Sequence, residues 1–258
     1  MCELLAMSAN VPTDIRFSFA ALSQRGGATG PHTDGWGISF YEDKGCRTIH
    51  DPNPSAHSEL ARFVRAYPIK SRLVIAHVRK ANRGRTSLEN THPFTRELWG
   101  RRWSFAHNGQ LRGVKKRDLT HCRPIGTTDS EHAFCWIMDR LRSLYPQRPS
   151  ESALAWTIAE LFADLRKLGV FNTLLGDGKS LFASCSTKLC YIERRAPFGQ
   201  ASLIDEDLEV DFAKETTPND RVTIVATRPL TRNETWTQIR ENTTLVLRAG
   251  QVAKIFAA

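Results

Sequence analysis

"MCELLAMSAN" (1–10) sets a cysteine directly behind the first methionine and follows it with an apolar run, Leu4-Leu5-Ala6-Met7. The run reads as a buried strand, which puts the Cys2 thiol at the edge of a core. Free cysteine is among the most buried residue types, so Cys2 is either an inert core-edge thiol or a nucleophile. If Met1 is removed, Cys2 carries its own base. An α-amine with a reference pKa of about 7.7–8.0 is substantially neutral near pH 7, whereas a lysine at about 10.4 is almost wholly charged. A nucleophile of this kind has to come first in the chain, as an N-terminal threonine does, and needs no histidine partner.

The rest of the 258 residues sets limits on that choice. The N-terminus has neither the charged segment nor the long apolar segment of a secretion signal, and no window approaches the roughly 18 apolar residues of a membrane span. The expectation is a cytoplasmic protein without a membrane partner. Six cysteines occur, none in a C-x-x-C pair, and no histidines cluster at zinc-ligand spacing, so reduced thiols and no metal are expected,. The net charge of +9 invites a nucleic-acid reading,. However, Lys and Arg are scattered, with only short clusters such as "GVKKRD" and "GRRW", and no aromatics interleave with them. A diffuse basic surface speaks to solubility and weak association, so no nucleic-acid partner is expected.

Strand-like runs dominate: "GWGISFYE" (35–42), "RLVIAHV" (72–78), "RWSFAHN" (102–108), "KLCYIER" (188–194), "RVTIVAT" (221–227), "TTLVLRA" (243–249) and "QVAKIF" (251–256),. "FNTLLGDGKSLFASC" (171–185) reads as a hairpin turning at Gly176-Asp177-Gly178. It is not a phosphate loop, because Walker spacing needs glycine where Thr173 stands. Three amphipathic helices are expected. One covers about 13–24 behind a Thr13 or Asp14 cap; the second starts at Thr128 or Asp129; the third runs from Ser150 to Gly169. Many strands, few helices, short turns and no βαβ rhythm predict one α+β domain (2–258) with mostly antiparallel sheets.

Three further segments carry candidate chemistry. "FAHNGQLRG" (105–113) is either a turn or an oxyanion hole built from the Asn108 amide and the Gly109 N–H, glycine allowing substrate close to the backbone. "VIAHVRKANRG" (74–84) puts Arg79 at a sheet edge, as a surface ion-pair partner or as a two-pronged carboxylate ligand. "GTTDSEHAF" (126–134) puts Asp129 at a helix start, as a plain cap or as a ligand for an ammonium group. Arg79 and Asp129 together would hold the zwitterionic end of an amino acid.

Taken in order, Cys2, Arg25-Gly26 with "DGWG" (34–37), His77-x-Arg79, "HNG" (107–109) and "TDSE" (128–131) resemble the class II glutamine amidotransferases, which are N-terminal-nucleophile hydrolases. "ANRG...LENTHPF" (81–94) and "ATRPLTRNETW" (226–236) look like the stand-alone branch that lacks a synthase domain. The resemblance implies a four-layer αββα sandwich of two antiparallel sheets and no cofactor. It also assigns roles: Cys2 as nucleophile, Asn108 and Gly109 as oxyanion hole, Arg79 as α-carboxylate ligand, Asp129 as α-amino ligand, and Arg25, an arginine near the nucleophile, with Asn82 as further substrate-binding residues. Asn82 and Arg83 depart from the Thr and His of many relatives. With the long 26–37 loop they are expected to line the substrate mouth.

The implied reaction cleaves a γ-glutamyl amide through a Cys2 thioester, with glutamine giving glutamate and ammonia as the default. Two alternatives stay open. One is hydrolysis of a larger γ-glutamyl peptide or amide, since no synthase domain receives the ammonia. The other is an inactive glutamine-sensing regulatory subunit. The implied partners are the small-molecule substrate and, for glutamine, a separate ammonia-accepting synthase subunit.

Overall fold

The apolar run behind Cys2 is buried on both sides, and it becomes an inner strand, β1 (Glu3–Asp14). Leu5, Met7 and Ala9 face one apolar layer while Leu4 and Ala6 face another, as the two-residue period of a strand dictates,. The computed structural model describes residues 2–81 and 85–257.

Two antiparallel sheets make up the centre. In the first the order is β13 (Thr237–Gln238), β9 (Cys190–Arg195), β12 (Arg221–Ala226), β1, β4 (Lys70–Val78), β2 (Trp36–Glu42) and β3 (Gly45–Asp51). In the second it is β15 (Gln251–Ala257), β14 (Thr243–Arg248), β8 (Ser180–Cys185), β7 (Gly169–Gly176), β6 (Arg101–Leu111) and β5 (Phe94–Leu98). A small hairpin, β10 (Gln200–Ser202) and β11 (Glu209–Asp211), stands apart from both. Helices α1 (Arg16–Gln24) and α2 (Glu59–Ala66) pack Phe19, Leu22, Ala61 and Val64 onto the outer face of the first sheet. Helices α3 (Asp129–Leu144) and α4 (Glu151–Arg166) cover the second sheet with Phe134, Leu141, Ile158 and Phe162. Helix α5 (Phe212–Glu215) is a single turn. Leu4, Ala6, Leu73, Ile75, Ala106, Leu174 and Ala183 fill the layer between the sheets. The architecture is the αββα sandwich expected from the sequence.

Local details differ from the sequence reading in informative ways. The first helix begins at Arg16, not 13, because β1 runs on to Asp14. Asp14 still meets one free N–H, that of Arg16 at 2.8 Å, but from outside the cap position. β3 and β5 went unread since both are sheet edges with largely half-exposed or polar residues, which leave no clean alternation,. The 171–185 hairpin forms as expected. Asp177 accepts the N–H groups of Lys179 and Ser180, and Gly178 takes a φ of +85°,.

Glu3 and Arg25 anchor the start of β1. The buried Glu3 carboxylate pairs with Arg25 and Arg228, both at 2.9 Å. The Arg25 guanidinium donates to Glu3, to Asp205 and to the carbonyls of Arg228 and Pro229. A carboxylate in a buried strand is tolerable only with such partners.

His77, on the inner face of β4, is fully buried and lies against His92, their ring centroids 4.3 Å apart. Burial pushes His77 down to about 3, with the Arg79 and His107 charges adding to it. The folded protein therefore refuses a proton that the unfolded chain accepts below about pH 6.5. Stability is intact above that pH and falls as pH drops toward 3. Chemical denaturation at pH 7.5 and pH 5 should show His77→Gln losing about 2 kcal/mol less than the wild type between those pH values. Equal losses would place the acid sensitivity elsewhere.

Candidate active site

Antiparallel pairing sets the start of β1 beside the end of β4, with Glu3 opposite Val78. Cys2 consequently faces the turn that leaves β4. Its Sγ accepts the Lys80 N–H at 3.3 Å and donates to the Lys80 carbonyl at 3.5 Å. Burial raises the thiol above its ordinary range, while the Lys80 N–H and the Arg79 charge pull the other way. Such a thiol is protonated at neutral pH and reacts only if a base takes its proton.

Asn108, in the last part of β6, reaches across from the second sheet. Its Oδ1 accepts the Cys2 N–H at 3.0 Å, and its Nδ2 donates to the Cys2 carbonyl at 2.6 Å. Only this orientation of the amide satisfies both backbone groups. Nδ2 keeps a second hydrogen. Asn172 on β7 steadies the strand by donating to the Asn108 carbonyl, while its own Oδ1 takes the N–H groups of Ser186, Thr187 and Lys188. Gly109 follows, exposed on the cavity wall. Its lack of a side chain has a structural cause beyond substrate access. A Cβ there would lie 1.8 Å from the Val170 carbonyl oxygen and 2.8 Å from the His107 ring.

Arg79 is 4% exposed, and its nearest acceptors are the Asp34 and Arg85 carbonyls at 3.4 Å. Among the described residues no carboxylate pairs with it. It does not sit at a sheet edge, as the sequence suggested, but at the end of an interior strand flanked by β1 and β2. The 26–37 segment also departs from expectation, for it does not line the cavity. Instead it braces the turn from behind: Gly35 accepts the Arg79 N–H at 2.7 Å, and the Asp34 carboxylate accepts that of Ala81 at 2.8 Å. Asn82 and Arg83 lie outside the described residues, as does Met1.

At the start of α3 the cap is Thr128, whose hydroxyl accepts the Glu131 N–H at 3.1 Å. Asp129, the first residue of the helix, borders the cavity, and its carboxylate accepts the Leu111 N–H at 2.8 Å and the Ser130 N–H at 3.0 Å. Cys2, Arg79, Asn108, Gly109 and Asp129 thus border one cavity of about 790 Å³. Arg25 does not join them. All of its donors are committed to Glu3, Asp205 and two carbonyls, so a substrate-binding role for it is replaced by support of the residue next to Cys2.

The sequence reading missed His92 and Lys80, which also line the cavity, and Glu3 behind it. Glu3 had left a signal, a lone carboxylate in an apolar strand; His92 and Lys80 had none. His107, one residue before Asn108, is held by Ser130 at 2.8 Å and the Val170 carbonyl at 3.0 Å, and burial lowers it below its ordinary range. Burial likewise holds His92 well below its range. The histidines near Cys2 are therefore neutral. Among the described residues no three His, Cys, Asp or Glu side chains gather as a metal site requires, and no helix is long and apolar enough to cross a membrane.

Comparison with known proteins identifies the family. A family profile of class II glutamine amidotransferases matches residues 1–258. YafJ of Escherichia coli K12, a protein that carries a glutamine amidotransferase name, is 61% identical over 240 residues, covering 93% of this chain and 94% of YafJ. The 2.0 Å crystal structure of a predicted glutamine amidotransferase from Pseudomonas aeruginosa superposes with a TM-score of 0.78 at 48% identity, covering 98% of this chain and all of the other. Glutamine phosphoribosylpyrophosphate amidotransferase of Bacillus subtilis shares the fold at 13% identity and a TM-score of 0.64; the match covers 99% of this chain and 49% of that larger one. With its inner N-terminal strand, its two stacked sheets and a profile match over its whole length, the chain belongs to the class II glutamine amidotransferases.

Proposed function

We propose that the protein hydrolyses γ-glutamyl amides through a thioester on Cys2, with Arg79 and Asp129 holding the amino-acid end of the substrate. The observation that carries this reading is Arg79: a buried guanidinium with no carboxylate partner among the described residues, on the same cavity as a thiol and an aspartate. An unpaired buried charge is costly, and a substrate carboxylate would offset that cost. Asp129 would take the α-ammonium group, which leaves the γ-amide for Cys2.

In this scheme the free Cys2 amine takes the thiol proton, and the thiolate attacks the amide carbon. Asn108 Oδ1 accepts from that amine and keeps its lone pair beside Sγ. The second Nδ2 hydrogen of Asn108 and the Gly109 N–H stabilise the tetrahedral oxyanion. The amine leaves with the proton, and water then cleaves the thioester. Burial holds His92 and His107 below their ordinary range, so both bind a proton poorly and are weaker bases than the Cys2 amine,.

A larger substrate is favoured over glutamine by the cavity itself. Its 790 Å³ is ample for a drug-sized ligand, and an amino acid would fill only part of it,. Lys80, Arg112 and Lys115 also stand on its wall, so the leaving amine is expected to carry a carboxylate,.

Three measurements test the reading. The active form should begin at Cys2 by intact mass, and Cys2→Ser should fold normally yet lose most activity; full activity with Met1 attached would sink the mechanism. Asn108→Ala should lower kcat by roughly 10²–10³ at nearly constant KM; a variant that unfolds yet keeps its specific activity would make Asn108 a purely structural residue. In steady-state kinetics on glutamine and acidic γ-glutamyl peptides, the peptides should match or exceed glutamine in kcat/KM. Arg79→Lys should raise KM for every substrate, while Arg112→Glu should impair only the peptides. Turnover of glutamine alone would leave an ammonia-accepting partner subunit as the better explanation.

A further inference from the structure

Helix α3 carries a second arrangement, on residues that do not border the Cys2 cavity. Glu131 and Asp139 lie one turn to either side of Cys135 and share its face of the helix,. Each carboxylate straps down a piece of the loop that precedes the helix. Glu131 accepts the N–H groups of Ile125 at 3.0 Å and Gly126 at 2.7 Å. Asp139 accepts those of Thr120 at 2.6 Å and Cys122 at 2.9 Å. Arg96 joins the set from β5, donating to Glu131 at 2.5 Å and to the Arg123 carbonyl at 3.0 Å. Strapped at both ends, the loop presents the half-buried Cys122 to the buried Cys135, and both are free thiols.

We propose that Cys122 and Cys135 form a reversible thiol–disulfide site that responds to hydroperoxides and stiffens the cavity wall between them. The stretch they would close, 122–135, contains Thr127, Thr128, Asp129 and Ser130, all of which line the cavity.

The chemistry needs one reactive and one resolving thiol. The neighbouring thiol, with the Arg96 charge assisting, holds Cys122 below the ordinary cysteine range, while Cys122 and burial hold Cys135 above it. Cys122 is also the more accessible of the two. Its thiolate attacks a hydroperoxide oxygen, the O–O bond breaks and a sulfenic acid forms. The Cys135 sulfur then attacks the Cys122 sulfur. The S–S bond forms as the S–O bond breaks, and the hydroxyl leaves as water with the Cys135 proton. With hydrogen peroxide, two thiols lose two hydrogens and the peroxide becomes two waters. A dithiol reverses the change by exchange.

The inference stands apart from the proposed reaction, and its test avoids the nucleophile. Full-length Cys2→Ala protein is treated with hydrogen peroxide, alkylated and digested with trypsin. Trypsin does not cut the Arg123–Pro124 bond, so one peptide, 118–140, holds both thiols and no other cysteine. That peptide should become lighter by two hydrogens and resist alkylation. Amide exchange across 123–130 should slow about tenfold, as a loop-closing crosslink implies. Dithiothreitol should reverse both changes, and the Cys2→Ala protein that also carries Cys122→Ser should show neither. The proposal is overturned if both thiols still alkylate, if Cys122 only gains oxygen, or if the link forms with exchange unchanged.

Discussion

The reciprocal pair of hydrogen bonds between the Asn108 side chain and the Cys2 backbone joins the two sheets where the cavity opens. Cys2 belongs to the first sheet and Asn108 to the second, so the position of the thiol depends on how the sheets stack. Everything that fixes that stacking serves the site at a distance. The apolar layer between the sheets sets their separation, and Asn172 holds β6 in place behind Asn108. Glu3 and Arg25 fix β1 one residue from the thiol. A one-ångström slip between the layers would be felt directly at Cys2, which is why so much buried polar bonding converges there.

Two buried arginines show how the same residue type serves opposite ends. Arg25 has every donor occupied by protein acceptors and acts as an internal tie. Arg79 is nearly as buried but is left with two long contacts to carbonyls. The first is satisfied within the folded chain, whereas the second stands on the cavity wall with no carboxylate partner among the described residues. The difference lies wholly in what surrounds each guanidinium, since both follow the same β-rich chain into the interior.

That difference also explains what could be read in the sequence. Strand alternation and helix spacing showed an α+β chain with mostly antiparallel sheets, because burial on two faces or one leaves a pattern in consecutive residues; the four layers came from the family resemblance. Cys2, Arg79 and Asp129 could be singled out because each stands at the start or end of an element, and Asn108 and Gly109 because an Asn-Gly pair is unusual within a strand. Arg25 was misassigned because its partner Asp205 lies 180 residues away and no local pattern encodes that meeting. Thr128 and Asp129 were equally good caps by composition, and only the geometry of the first turn decides between them. The 26–37 loop was placed at the mouth by its length, yet it is the Asp34 and Gly35 contacts, invisible in composition, that set it behind Arg79 instead.

The position of β1 has a consequence in time. It pairs on one side with β4, which is made soon after it, and on the other with β12, where Leu5 meets Ala226. On the ribosome that second edge stays open until most of the chain has emerged, a long wait for a strand so rich in apolar residues. The strand that follows Cys2 is therefore the earliest part of the sheet to be synthesised and among the last to be enclosed.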